Sequence, residues 1–334
     1  MDQIVYRPVR DEFAYTFGGR MPVAHLRSGD LLRVFTEDCF GGLVRGPADL
    51  PSQVCHMPYL NPVSGPFFVE DAEPGDTLAV HVVAIEPART WGVSSTFPHF
   101  GALTSTSHTA TLQPPLEERV WVYEVDKPAG VVRYRATASD HTVDLPLEPM
   151  IGTIGVAPGG FEARATIVPD THGGNLDTPQ LRAGTTLYLG VAMHGAMLAL
   201  GDGHARQGEG EACGAGVEIA TTTTLLVEVI KGVPTPWPRL ETDQTIMSVG
   251  AARPLEDAYR IAHHDLVGWS AALTGLGVLD AYQLISQAGR APIGNVCDPN
   301  YTILAAADKT LLPSPTPPYG GAHDRLRQLA AEQR

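Results

Sequence analysis

The sequence predicts a mainly β protein, with a β-sandwich-like body and a small helical appendage near residues 251–290. Its 35 glycines and 28 prolines follow no collagen-like period, so they indicate many tight turns between short strands. Three segments repeat one pattern, in which a Gly turn precedes apolar side chains that recur at a period near two. These segments are residues 28–34, 74–80 and 183–189.

Further strands are predicted along the middle of the chain. Residues 120–125 and 131–137 alternate like strands, and the Pro- and Gly-containing segment 126–130 suits a hairpin loop between them. Residues 300–306 also have strand character. Residues 92–118 are rich in Ser, Thr and Pro and show no clean period, so they are predicted to form a long surface loop or lid.

Helix signals appear only late in the sequence. Residues 254–270 begin with Pro254 and an acidic pair, which suits a helix N-terminus. Residues 278–288 predict a second helix that ends near Gly289. Residues 320–334 predict a terminal helix. No domain linker or solenoid repeat interrupts the pattern, so we expect one domain over residues 1–334.

Composition excludes several classes of function. The formal net charge is −14 and no Lys/Arg cluster occurs, so the sequence predicts no nucleic-acid and no membrane partner and favours a small-molecule substrate. No apolar run is long enough to span a membrane, and the first residues lack a signal-peptide pattern. Four scattered cysteines without a CxxC pair indicate free thiols. A cytoplasmic location is therefore expected.

Residues 201–218 are the stretch most loaded with chemistry. They hold one Asp, one His, one Gln, three Glu and one Cys among glycines, between two apolar strand-like runs. We expect this stretch to connect strands at one end of a sheet. Acidic side chains beside a His suit a metal or proton-transfer site, although a polar Gly-rich hairpin is the alternative.

Three other segments could contribute to such a site. Residues 36–42 combine two acids with two glycines, residues 53–56 end in His56, and residues 171–177 hold a His, two Gly, an Asn and an Asp. Each is weak alone, since His56 or His172 could be structural and Asp38 could cap a turn. Together they supply enough Asp, Glu and His for a divalent metal site.

These motifs resemble the acetamidase/formamidase family of amide hydrolases. The resemblance is carried by THGGNLD at residues 171–177 and GDGHARQGEGEACG at residues 201–214. NPVSGP at 61–66, EPGD at 73–76 and MIGTIGVAP at 150–158 support it. It covers about residues 25–310. It implies a jelly-roll-like β-sandwich with added α+β elements, hydrolysis of short aliphatic amides such as formamide and acetamide, a zinc or other divalent ion, and a homo-oligomer.

Roles for individual residues follow from side-chain chemistry. Asp38, His56, Asp202 and His204 are the predicted metal ligands, and Asp202 and His204 would share a face if the chain there is extended. Glu211 is the predicted general base and later proton donor to ammonia. The oxyanion would be held by Asn175 and by the N–H groups of Gly173 and Gly174.

Three alternatives stay open at the level of sequence. Cys213 could act as the nucleophile with Glu211 or His204 as its base, although no Lys accompanies them as in Cys–Glu–Lys amidases. The same scaffold could hydrolyse lactams. A non-catalytic jelly-roll binding module with a structural ion is the third alternative.

Overall fold

Strands make up most of the regular structure in residues 2–103 and 114–333, which this computed structural model describes. In chain order they are β1 Gln3–Tyr6, β2 Thr16–Phe17, β3 Ala24–Leu26, β4 Leu31–Thr36, β5 Val63–Val69, β6 Thr77–Pro87, β7 Trp91–Thr96, β8 Arg119–Asp126, β9 Val131–Arg135, β10 Thr142–Pro146 and β11 Met150–Gly155. They continue with β12 Arg164–Ala165, β13 Gly173–Asn175, β14 Thr186–Gly190, β15 Leu198–Arg206, β16 Val217–Glu218, β17 Thr221–Ile230, β18 Arg239–Glu241, β19 Thr245–Ala252, β20 Ile293–Asn295 and β21 Tyr301–Asp308. The α-helices are α1 Pro51–Val54, α2 Leu255–Thr274, α3 Val278–Ala288 and α4 Ala322–Glu332.

Two large, mostly antiparallel sheets contain nearly all of these strands. The first sheet has the order β1-β4-β17-β6-β14-β18-β19-β21-β20. The second has the order β10-β9-β8-β7-β16-β15-β11-β13, with β5 paired to β15 and β3 paired to β5. Neither sheet closes on itself into a barrel, and the two share one core. The predicted β-sandwich is therefore confirmed.

The main core contains apolar side chains from both large sheets. Val80 of β6 and Leu225 of β17 come from the first sheet, and Ile154 of β11 and Leu200 of β15 from the second. All four are fully buried. On β6, Leu78, Val80 and Val82 belong to this core, whereas Ala79 and Val83 belong to a second cluster with α4. The period of two that predicts this strand therefore reflects two different buried faces.

Helices α2, α3 and α4 lie on the side of the first sheet that points away from the second sheet. Helix α2 packs on β19 and β21, α3 packs against α2 and shares its apolar cluster, and α4 packs on β6 and β17. Helix α3 has the predicted bounds, and α2 begins right after Pro254 and runs four residues further than predicted. No helix within the described ranges is long and apolar enough to cross a membrane.

The three repeated Gly-turn segments lead into β4, β6 and β14, and the predicted hairpin forms from β8 and β9. The prediction of a loop over residues 92–118 is wrong at its start, because residues 91–96 form β7. Their Ser and Thr residues do not prevent pairing with β8, and Ser95 is only 2% exposed. The part of this loop at residues 104–113 lies outside the described residues.

A buried ion pair ties the helical layer to the first sheet. Arg239 of β18 donates to both carboxylate oxygens of Asp265 on α2, at 2.7 and 2.8 Å. Ser248 of β19 also donates to Asp265, at 2.6 Å, and the Arg239 guanidinium lies 4.7 Å from the centre of the Trp269 ring. Because both charges are largely out of water, each depends on its partner.

We therefore expect Asp265→Asn to lower the free energy of unfolding by about 3 kcal/mol, because Arg239 would lose the charge that compensates it. Urea unfolding followed by circular dichroism measures the change. The control is Glu86→Gln, which removes the exposed Arg33–Glu86 pair and should cost less than about 1 kcal/mol. Equal losses in the two variants would contradict the role given to the buried pair.

Candidate active site

Two adjacent strands of the second sheet carry the centre of the site. Asp202 and His204 lie on β15, and Glu218 on β16 pairs directly with His204 across the ladder. Each of the three residues is 1% exposed. Because directly opposite residues of antiparallel strands have neighbouring side chains, this register places an acid beside the imidazole.

The structure corrects the expectation that residues 201–218 are wholly a connection. Residues 201–206 continue β15, and the irregular part begins only at Gln207. A Cβ on Gly201 would collide with the Pro62 carbonyl, and one on Gly203 would collide with Thr221. These glycines therefore permit close strand packing and do not make a turn.

His204 faces three carboxylates through a single ring nitrogen. Its Nε2 lies 3.1 Å from Asp202 Oδ1, 3.2 Å from Glu218 Oε1 and 3.9 Å from Asp177 Oδ1. Such a group of donor atoms has two ways of balancing its charge. Either the imidazole is protonated, or a cation lies among the ligand atoms.

Gln207 determines how His204 presents that nitrogen. The Gln207 amide donates to the carbonyls of Asp177 at 2.6 Å and of Gly294 at 3.0 Å. Its Oε1 must therefore accept, and it lies 2.9 Å from His204 Nδ1, which consequently carries a hydrogen. The neutral imidazole then has its lone pair on Nε2, directed at the carboxylates, which is the tautomer of a metal ligand.

A second group of ligand atoms adjoins the first. Asp177, His204 and Glu211 each offer one atom within 4.8 Å of the others, and so do Cys39, Asp202 and Glu218. Asp298 and Cys297 complete the surroundings, since Cys297 Sγ lies 3.4 Å from Glu211 Oε2. The site thus concentrates five buried carboxyl groups: Asp177, Asp202, Glu211, Glu218 and Asp298.

Asn175 holds several of these acids in place. Its amide donates to Asp298 Oδ2 at 2.7 Å and to Asp177 Oδ2, while its Oδ1 accepts from Asn61 at 2.9 Å and from Thr153. Both amide hydrogens of Asn175 are therefore engaged with carboxylates. In this arrangement the predicted oxyanion donor positions the acids and has no free hydrogen for a substrate.

Burial and mutual repulsion determine the protonation of the cluster. Burial, together with Asp298 and Asp202, raises the pKa of Asp177 well above its usual value, and burial and Asp177 do the same for Glu211. Burial raises the pKa of Glu218 to about 7. For His204, burial lowers the pKa, but Glu218 and Asp202 outweigh it, so the pKa is raised well above 6.5. These groups compete for protons that a cation could replace.

Two further observations fit a divalent cation at this cluster. Asp177 Oδ1 and Glu218 Oε2 are buried without a hydrogen-bond partner in the described structure, although both residues are 1% exposed. A Cβ on Gly152 would collide with Asp177 Oδ1 and Asp202 Oδ2, so the missing side chain leaves space beside both oxygens. Carboxylate and imidazole donors suit zinc, manganese or iron.

Four of the site residues have backbone conformations that are uncommon outside glycine. Asn61, Asp177, Asp202 and Glu211 have φ values of 51°, 42°, 57° and 44°. Asn and Asp tolerate the left-handed region, but Glu rarely adopts it. Such residues cluster at functional sites, where surrounding structure holds the strain.

The structure does not bring every predicted ligand into this cluster. Asp38 is fully buried, but its carboxylate pairs with Arg89 and accepts the Gly42 N–H at 2.9 Å. His56 is exposed and does not line the cavity described below. By contrast, Asp202, His204 and Glu211 come together as the sequence suggests; their individual roles stay predictions.

Gly173 and Gly174 have a structural explanation. Their φ values are 97° and 95°, and a Cβ on either would collide with a backbone carbonyl, of Ile154 or of Val168 respectively. The Gly173 N–H already donates to the Asp170 carbonyl at 3.0 Å, so it is not available to an oxyanion. The glycines of the THGGNLD motif instead let the chain turn so that Asn175 and Asp177 enter the site.

Cysteine chemistry finds little support in the geometry. Cys213 is exposed and is absent from the described cavity wall. Cys39 and Cys297 do line the wall, but burial and the neighbouring acids raise the pKa of both thiols well above their usual value. A thiolate nucleophile is therefore disfavoured at either position.

A cavity of about 1050 Å³ opens onto the cluster. Asn175, Asp177, Asp202, Glu211 and Glu218 form its polar end. The rest of its described wall is largely apolar and aromatic. A small molecule can therefore reach the acidic cluster from one side while the sheet closes the other.

Several important residues have little sequence signal. Asp177 lies inside the THGGNLD motif and Glu218 ends the acidic stretch, so those two could have been nominated. Gln207 lies in the same stretch, but its role in orienting His204 is evident only from the two backbone carbonyls to which its amide donates. Asp298 lies 80 residues beyond Glu218, and only the pairing of β20 and β21 at the sheet edge brings its segment here.

The sequence also matches known proteins. The model of the acetamidase/formamidase family matches residues 20–160 and 159–288. An acetamidase from Mycolicibacterium smegmatis is 28% identical over 235 residues, which are 55% of this chain and 56% of that protein. The matched region thus spans little more than half the length of this curated relative.

Solved structures match over more of the chain. An acetamidase from Yersinia enterocolitica is 42% identical, with a TM-score of 0.86 and coverage of 93% of both chains. An acetamidase from Bacillus halodurans is 32% identical, with a TM-score of 0.81 and coverage of 91% of this chain and 97% of that one. The chain belongs to the acetamidase/formamidase family.

Proposed function

We propose that this protein hydrolyses the C–N bond of amides to a carboxylate and ammonia, using a water molecule activated at the carboxylate–histidine cluster. One observation carries the proposal: His204 Nε2, oriented by Gln207, faces three buried carboxylates at the polar end of a cavity. The names of the similar proteins, which are acetamidases, support amides as the substrate class.

His204, Asp177, Asp202 and Glu218 are the residues that would hold a divalent ion. When bound, such an ion supplies Lewis acidity toward water and an amide carbonyl. The protein's part is to fix these donors. Gln207 holds His204, Asn61 holds Asp202 and Asn175 holds Asp177. The Gly216 N–H donates to Glu218. Zinc is the proposed ion.

Glu211 is the proposed proton carrier. It lines the cavity, belongs to the same group of ligand atoms as His204, and has a pKa raised by burial and by Asp177. A raised pKa makes the carboxylate a stronger base, so it can take a proton from water and return it to the departing ammonia. Its strained backbone conformation agrees with a role that depends on side-chain position.

The substrates to test first are formamide and acetamide, as the sequence resemblance implies, with a γ-lactam as the alternative on the same scaffold. A non-catalytic binding module would release ammonia from none of them. We expect ammonia release that chelator treatment abolishes and added metal restores, with about one equivalent of metal per chain by elemental analysis. Release that survives complete metal removal would contradict the metal-dependent mechanism.

We expect Gly152→Ala to reduce metal content strongly while the fold is kept, because its methyl group would occupy the space beside Asp177 Oδ1 and Asp202 Oδ2. Elemental analysis and a thermal melt measure both properties. Gly268→Ala is the matched control, since its methyl group meets open space on α2. Full metal occupancy in Gly152→Ala would show that the ion lies elsewhere.

We expect Glu211→Gln to keep its metal and to lose about 10²- to 10⁴-fold in kcat, because the amide cannot carry the proton. Steady-state ammonia release gives the rate, and elemental analysis confirms the metal. Glu209→Gln changes an exposed acid two residues away and should leave the rate unchanged. A near-normal rate in Glu211→Gln would remove Glu211 from this role.

A further inference from the structure

The cavity is much larger than a short aliphatic amide requires. Its volume is about 1050 Å³. Acetamide has four non-hydrogen atoms and occupies on the order of 100 Å³, if each atom takes about the ~30 Å³ that a water molecule has in the liquid. Most of the cavity would therefore remain unfilled by acetamide, and that volume resembles the pockets that enclose drug-sized ligands.

The wall away from the acidic cluster is apolar. Phe40, Leu60, Phe97, Phe100, Ile167 and Val296 lie on it. Burying an apolar ligand against such a wall is favourable, because it removes apolar surface from water. A substrate that only reaches the polar end would leave this wall to water.

An aromatic corner lies close to the proposed proton carrier. Phe97 and Phe100 meet edge to face with ring centres 6.3 Å apart, and Phe100 lies directly over Gly214, where any Cβ would collide with its ring. The Gly214 N–H donates to the Glu211 carbonyl at 2.8 Å. The two rings therefore pack against the loop that carries Glu211. An aromatic acyl group bound against them would belong to a substrate whose amide lies at the acidic cluster.

The described wall offers an anionic substrate no uncommitted Lys or Arg. Arg253 is the one Lys or Arg on the described wall, against five carboxyl groups. Its guanidinium donates to the carbonyls of Cys297 and Asp298 and lies 4.4 Å from the centre of the Tyr301 ring. Because Arg253 is already used to hold this segment, it is poorly placed to pair with a substrate carboxylate.

We propose that the preferred substrate is a neutral primary amide whose acyl group carries an aromatic ring or an extended apolar chain, of which phenylacetamide is the simplest probe. The inference rests on the proposed function and specifies its substrate class. Water adds its oxygen to the amide carbon and the C–N bond breaks. One proton of that water goes to the nitrogen, which leaves as ammonia, and the other is released to solvent as the acid product ionises. The products are an apolar carboxylate and ammonia, and no oxidant or reductant is needed.

The test compares kcat/KM for ammonia release from acetamide, propionamide, hexanamide, phenylacetamide and the singly charged succinamate, using the metal-loaded full-length protein. One methylene group in a fitted apolar pocket changes kcat/KM by about 10-fold or more. We therefore expect phenylacetamide or hexanamide to exceed acetamide by at least about 10-fold, and succinamate to be the poorest substrate.

The outcomes separate the two proposals. If acetamide or propionamide has the highest kcat/KM, amide hydrolysis stands and the inference on substrate size is overturned. If succinamate is the best substrate, the argument from wall charge is overturned. If no amide in the panel is cleaved by the metal-loaded protein, the proposed function fails, and this inference fails with it.

A variant tests whether the apolar wall causes the preference. Ile167→Trp adds bulk at the wall, so kcat/KM for phenylacetamide should fall about 10-fold or more while that for acetamide changes less than about threefold. Ile167→Leu keeps the volume and is the control. Parallel losses for both substrates in Ile167→Trp, with an unchanged melting temperature, would show that the wall does not select the acyl group.

Discussion

Repulsion among five buried carboxyl groups is the constraint on which the site depends. Asp177, Asp202, Glu211, Glu218 and Asp298 are nearly inaccessible to solvent, and one imidazole lies among them. Each isolated carboxylate would cost several kcal/mol to bury without a partner. The surrounding amides and hydroxyls offset part of this cost, and protons or a cation must offset the rest. The cluster therefore lowers the stability of the folded state, and it supplies the charged groups that can bind a cation or transfer a proton.

The sandwich supplies the rigidity that such a cluster requires. The central acids and the histidine lie on or beside strands of the second sheet, whose inner face is covered by the main core. Gln207 and Asn175 then connect three separate segments of the chain through hydrogen bonds to carbonyls and carboxylates. A displacement of one segment would move the donors of the others, so the geometry is shared among them.

The sequence predicts the architecture better than it predicts the site. Period-two patterns identify β4, β6 and β14 because their two faces meet different apolar neighbours, and α3 has the predicted bounds. The predicted ligand Asp38 is a buried acid in a suitable motif, yet Arg89 neutralises it, and that pairing spans 51 residues of chain. Asp298 and Gln207 depend likewise on contacts that arise only in the folded sheet. Local sequence patterns predict strands, helices and turns. The side chains that contact each other across the site depend on the fold topology.

Glycines show the same difference between local and long-range causes. Gly201 and Gly203 suggest a turn to a reader of the sequence, but they lie in a strand and admit neighbouring backbone. Gly173 and Gly174 suggest free N–H donors, but they exist because carbonyl groups occupy the space of a side chain. In each case the glycine is explained by the atoms packed against it in the folded protein. The sequence alone does not show which atoms these are.

The left-handed backbone of Glu211 has a consequence for how this protein could be altered. At that position glycine would relax the main chain, and asparagine would adopt the same angles more readily than glutamate does. A search for more heat-resistant variants would therefore tend to replace the residue on which turnover is proposed to depend. Consensus or stability-guided redesign should hold Glu211 fixed, because resistance to heat and catalytic competence oppose each other at this residue.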